Sequence, residues 1–123
     1  MIPYTIDTKS QTIYSRMAGL VDLVDVGRYV SELYHDRCYN PMYNRLIRIY
    51  DIAGPFDRSI RDQIAAIWEN VSISSSQTCW AIVCNRISEI RIRTLLCGSL
   101  MLGRCVRFFH DESSAKTWLS SCK

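Results

Sequence analysis

Interrupting charged residues are absent from Thr78–Asn85, TCWAIVCN. A strand exposed on one side alternates apolar and polar residues, whereas a nearly continuous apolar run suits a central strand covered on both faces. This stretch constrains the fold more than any other, because the segments around it must supply both covers. Strands that alternate with helices do so, as a largely parallel sheet flanked by helices.

The rest of the chain reads in that way. PYTID and TIYSRMAG alternate around Thr8-Lys9-Ser10-Gln11, the pattern of a hairpin whose second strand Gly19 closes. In LVDLVDVGRYVSELYHD, Val26, Val30, Leu33 and Tyr34 recur at i, i+4, i+7 and i+8 and predict a helix. Either Asp22 or Asp25 can cap its start, Gly27 weakens it, and CYNPMYN ends it, since proline disfavours helix in the residue before it. RLIRIYDI is a strand punctuated by Gly54-Pro55. Asp57 then stands ahead of Ile60, Ile64, Ile67, Trp68 and Val71, an amphipathic helix. In RISEIRIRTLLCGSLM, Ile90 to Arg93 alternate like a strand, but the length and position between two buried strands favour a helix. RCVRFF predicts the last strand, and Asp111 the N-cap of a last helix with Ala115, Trp118 and Leu119 inward. The expected fold is α/β: a mixed, mainly parallel five-stranded sheet with four helices and an N-terminal β-hairpin, in a single domain over 1–123.

At 123 residues, with 48% hydrophobic and 22% charged side chains, the chain has the size and composition of one globular domain. Its net charge of +3 and pI near 8.6 fall short of a nucleic-acid binder, for which a pI above about 9 is expected. No run approaches the roughly 18 apolar residues of a membrane span. MIPYTIDTKSQ lacks the basic start and apolar run of a secretory signal. The expectation is therefore a cytoplasmic protein with no integral membrane association, whose six cysteines are thiols. Their spacing contains no C-x-x-C, and Cys79, Cys84 and Cys105 fall in strand-like runs where free cysteine acts as a small hydrophobe. Cys79 and Cys84, five apart, face opposite sides of a regular strand and cannot share one ion. No metal and no cofactor is expected.

The closing stretch, VRFFHDESSAKTWL, has a physical reading of its own. Asp111 accepts hydrogen bonds from the first helical turn, Ala115 permits close helix–sheet approach, and Trp118 with Leu119 supplies buried area. With the hairpin start and the IYDI and WAIVCN strands, the positions Val106, Phe108 or Phe109, Asp111, Ala115, Trp118 and Leu119 resemble the SpoIIAA-like family, single-domain relatives of STAS and Sec14-type proteins. That resemblance spans essentially the whole chain. With the aromatic residues Tyr39, Tyr43, Tyr50 and Phe56, it implies a non-enzymatic binding module whose pocket, near the carboxyl ends of the strands, accepts a lipid-like or other apolar small ligand. Alternatively it implies a regulatory protein–protein interaction domain of the anti-sigma-antagonist kind, acting through its surface or as a homodimer. In such switches a serine early in a helix is phosphorylated; Ser59 is the loosely placed counterpart here, but the D-S-S-G core is missing from DIAGPFDRSIRDQI.

The remaining candidates are few. Nucleophilic catalysis needs a nucleophile beside a base, and His35 and His110 are the two histidines. His35 lies at a helix end, where it ordinarily meets carbonyl groups. His110 lies at a strand's carboxyl end, the edge where open α/β sheets bind ligands. Arg86, Arg91, Arg93, Arg104 and Arg107 make one region basic and suited to an anionic partner or headgroup. Tyr39, Met42, Tyr43, Tyr50 and Phe56 are candidates to line an apolar pocket. The expected ligand site thus comprises Tyr43, Tyr50, Phe56, Arg86 and His110.

Overall fold

The computed structural model describes residues 2–20, 23–53, 78–86, 89–90 and 105–122. β1 (Tyr4–Asp7) and β2 (Thr12–Leu20) form an antiparallel hairpin with Tyr4 opposite Ser15 and Asp7 opposite Thr12. Its turn is organised by Asp7, whose Oδ1 accepts the N–H groups of Lys9 at 3.0 Å and Ser10 at 3.4 Å. Gln11, with φ 54°, takes the left-handed conformation that returns the chain to β2.

α1 (Leu23–Tyr34) leads to β3 (Asn44–Ala53), and β4 (Cys79–Cys84), β5 (Cys105–Phe109) and α2 (Glu112–Ser121) complete the described elements. The five strands lie in chain order, and every pairing after the hairpin is parallel. The mainly parallel sheet with an antiparallel edge strand was thus legible in the sequence. β4 is an interior strand, paired on both sides and buried from Trp80 to Cys84, as its apolar run requires.

Because side chains alternate across a strand, β2 to β5 feed two separate cores. Ile13, Met17, Ile47, Ile49, Trp80, Ile82 and Cys84 pack with Tyr29 and Leu33 of α1 on one face. Leu46, Ala81 and Val83 pack with Ala115 and Leu119 of α2 on the other. The buried face of α1 is centred on Tyr29 and Leu33, while Tyr34, expected inward, is 40% exposed. Tyr29 is tolerated in the core because its hydroxyl bonds Ser15 Oγ at 2.6 Å.

α2 is capped as its sequence predicts. Asp111 is extended (φ −138°, ψ 151°), its Oδ1 accepts Ser114 N–H at 2.7 Å, and its Oδ2 accepts the Ser114 hydroxyl at 2.9 Å. These bonds, backbone donor first, hold its carboxyl below the usual carboxylate range. Ala115 and Leu119 are buried, and Trp118 is half-buried, its ring 5.6 Å from that of Phe109. Arg48 on β3 forms an ion pair with Glu112, tying the first turn of α2 to the sheet.

The expected four helices are corrected to two among the described residues. α1 and α2 each have buried side chains seating them on the sheet. The apolar periods over 57–71 and 87–102 lie outside the described residues, apart from Glu89 and Ile90, which like Arg86 are at helical positions, with Glu89 N–H donating to Asn85 C=O at 2.9 Å. No helix among the described residues is long and apolar enough to cross a membrane.

Candidate functional site

Parallel pairing aligns the starts of four strands along the amino-terminal edge of the sheet. Thr12 stands opposite Asn44 and Cys79 opposite Cys105, while Asn44 precedes Arg45, the register partner of Trp80. Asn44, Cys79 and Cys105 therefore form one row on the α2 face. α2 ends above this row and delivers Cys122 as its C-cap residue, with the cap N–H donating to Leu119 C=O.

Asn44 joins these parts. Its side-chain Oδ1 accepts Cys79 N–H at 3.0 Å, and its Nδ2 donates to Cys122 C=O at 3.3 Å. Its backbone N–H donates to Gln11 C=O at 3.0 Å, so the hairpin turn, two strand starts and the helix end share one residue. The sulfur atoms of Cys79, Cys105 and Cys122 lie within 4.8 Å of one another. Burial, then hydrogen bonding to the Cys122 and Cys105 thiols, pushes the Cys79 thiol well above the ordinary cysteine range. Without a ligand Cys79 is thus a protonated, poorly nucleophilic thiol.

A cleft of about 1000 Å³ opens beside this row. Tyr14, Met42 and Leu119 supply apolar surface, Cys79 and Cys122 part of the floor, and Lys9 and Lys116 the charge. Among the described residues that line it there is no carboxylate. The Lys116 ammonium lies 5.6 Å from the centre of the Tyr14 ring and 3.5 Å from Glu112. Met42, 60% exposed, forms its rim.

The residues singled out in the sequence are distributed over two edges. Tyr43 precedes β3 at the amino-terminal edge and packs against the α1-side core. Tyr50 lies near the other end of β3, roughly 23 Å further along at about 3.3 Å per residue, so the two cannot line one pocket. Arg86 and His110 share the carboxyl edge, just beyond β4 and β5, where His110 Nε2 meets Glu89 Oε2 at 3.1 Å. Phe56 and Ser59, with Arg91, Arg93 and Arg104, lie outside the described residues. His35 Nδ1 bonds Ser31 C=O at 2.7 Å within its own helix end.

Sequence reasoning missed the cysteine cluster and Arg45. Cys84 is a buried core thiol as expected and faces away from Cys79, but Cys105, on β5, is exposed. The available signal was positional: TCWAIV and RCVRFF place a cysteine at the same point of two parallel strands. Arg45 is 1% exposed; its Nη2 reaches Tyr39 Oη at 3.5 Å, its guanidinium lies 4.8 Å from the Trp80 ring centre, and its Nε and Nη1 have no hydrogen-bond partner among the described residues.

Compared with known proteins, the chain matches no family model, no curated relative and no solved structure.

Proposed function

We propose that this chain is a non-enzymatic cytoplasmic binding module that takes a small amphiphile with an anionic end in the cleft at the amino-terminal edge of the sheet. The observation that carries this reading is the lining: Tyr14, Met42 and Leu119 provide an apolar bed, and Lys9 and Lys116 provide cations with no described carboxylate among the lining residues. About 1000 Å³ lies at the upper end of the range for small-ligand sites. An acyl or aryl body packs on the apolar wall while its carboxylate or phosphate meets the ammonium groups. The resemblance of the closing stretch to SpoIIAA-like proteins supports the same class of function.

Native mass spectrometry of freshly purified protein tests this reading. The expected result is a stoichiometric anionic amphiphile, or one equivalent of added oleate, whose retention is lost in the Lys9→Glu/Lys116→Glu double variant. Protein that emerges ligand-free and takes up no oleate sinks the proposal.

A further inference from the structure

We propose that Cys79, Cys105 and Cys122 form a three-thiolate site for one soft metal ion of the zinc(II) or copper(I) class, open toward the cleft. This goes beyond the amphiphile reading and does not depend on it. Three thiolates around one ion, at a metal–sulfur distance of about 2.3 Å, stand roughly 3.8–4.0 Å apart in tetrahedral or trigonal geometry. The three sulfur atoms already lie within 4.8 Å of one another. Closure requires movements of about 1 Å or less, within reach of small rotations of the cysteine side chains.

The surroundings hold this donor set in place. Cys79 and Cys105 are register partners on adjacent strands, so their side chains project in parallel from one face. Asn44 fixes the backbone of Cys79 through its Oδ1 and that of Cys122 through its Nδ2, as an outer-shell residue orients metal ligands. The carbonyl end of α2 points its dipole at the same place and favours a cation there. Lys9 and Lys116, in the adjoining cleft, offset the excess thiolate charge. No described carboxylate or imidazole joins the cluster. An all-sulfur set selects soft ions over magnesium or calcium. On binding, each S–H bond breaks, its proton passes to solvent and a metal–sulfur bond forms, with no change of oxidation state. A disulfide would use two of the thiols and leave the third without a role, whereas one ion uses all three.

The test uses the full chain, reduced and stripped of metal. Zinc(II) and copper(I) are titrated in separate arms against chromophoric chelators, and cobalt(II) serves as a spectroscopic probe. The expected result is one equivalent of zinc or copper, whichever arm binds identifying the ion, and sulfur-to-metal charge-transfer absorption with cobalt. Cys79→Ser, Cys105→Ser and Cys122→Ser each weaken binding by at least about 100-fold, and Asn44→Ala by about 10–100-fold, the usual loss for an outer-shell partner. Cys38→Ser, at an exposed thiol outside the cluster, leaves binding unchanged. Circular dichroism checks each fold; Cys105 is exposed, so Cys105→Ser carries the test even where Cys79→Ser unfolds. Failure of both ions to compete with the chelators overturns the proposal. So does undiminished binding in folded Cys105→Ser and Cys122→Ser, or a disulfide within the cluster that re-forms in the presence of zinc.

Discussion

Arg45→Met should make the protein more stable. A guanidinium carries its charge whatever its surroundings, and this one is 1% exposed with Nε and Nη1 unpartnered among the described residues. No carboxylate among the described residues forms an ion pair with it. Burying an unpaired ion costs several kcal/mol even after the protein relaxes. Against that stand a cation–π contact with Trp80 at 4.8 Å, contributing about 2 kcal/mol or more when desolvated, and a hydrogen bond to Tyr39 at the 3.5 Å limit, which contributes little. Methionine keeps a flexible apolar stem against Trp80 and removes the charge. Replacing buried ionic groups by apolar ones of similar volume is often neutral or stabilising by about 1–4 kcal/mol, and with no ion-pair partner among the described residues Arg45 falls within that range. Urea melts measure this directly: the midpoint should rise with an unchanged slope. A midpoint lowered by the equivalent of more than about 1 kcal/mol would refute the reasoning. It would mean that the guanidinium has an anionic partner in solution, and added phosphate should then raise the wild-type midpoint alone.

Gly27→Ala should stabilise α1 by about 0.5–1 kcal/mol, because the added Cβ meets nothing within 4 Å and the backbone loses freedom only in the unfolded state; thermal melts check it. Leu119→Ala should cost about 2–5 kcal/mol and exceed the cost of Trp118→Ala, since Leu119 is 5% exposed while the indole is only half-buried; urea melts of both rank them. The Asp111 cap stabilises the fold fully above the ordinary carboxylate pKa near 4, and its contribution is lost as pH falls through the lower folded value. Thermal midpoints should therefore drop less steeply below about pH 4 in Asp111→Asn than in wild type. Tyr4 donates to Asp36 Oδ2 at 2.9 Å, and burial first, then that bond, raises its phenol to about 12. Its stabilising effect is present below the ordinary value near 10 and lost as pH rises through the folded value; Asp36→Asn should move the phenolate absorbance step downward.

The strands were legible because the requirement behind them is local. A segment covered on both faces has to be apolar throughout, and TCWAIVCN satisfies that whatever surrounds it. The cap at Asp111 was legible for the same reason, since donor and acceptor lie three residues apart. The phase of α1 was harder. The hydroxyl of the buried Tyr29 is bonded to Ser15, fourteen residues earlier on β2, and no local rule predicts that partner. Arg45 is a similar case: in RLIRIYDI it is three residues from Arg48, so the two arginines face opposite sides of β3. One pairs with Glu112 at the start of α2, while the other enters the α1-side core beneath Trp80.

The cysteine row shows what kind of information a spacing rule omits. Metal motifs in sequence are short because a loop or a single helical turn brings their ligands together. Here the ligand geometry comes from register. Cys79 and Cys105 lie 26 positions apart in the chain yet side by side in space, because two parallel strands both begin on cysteine. Cys122 reaches them only because α2 folds back across β4 and β5 and ends above the strand starts. Asn44 has no signature in sequence at all; its role follows from standing beside Cys79 at the first position of β3, with one amide able to accept from one chain segment and donate to another. The bonds through this residue couple the hairpin turn, the central strands and the closing helix at the same edge as the cleft. Removing that amide in Asn44→Ala should therefore loosen the cysteines and the cleft together.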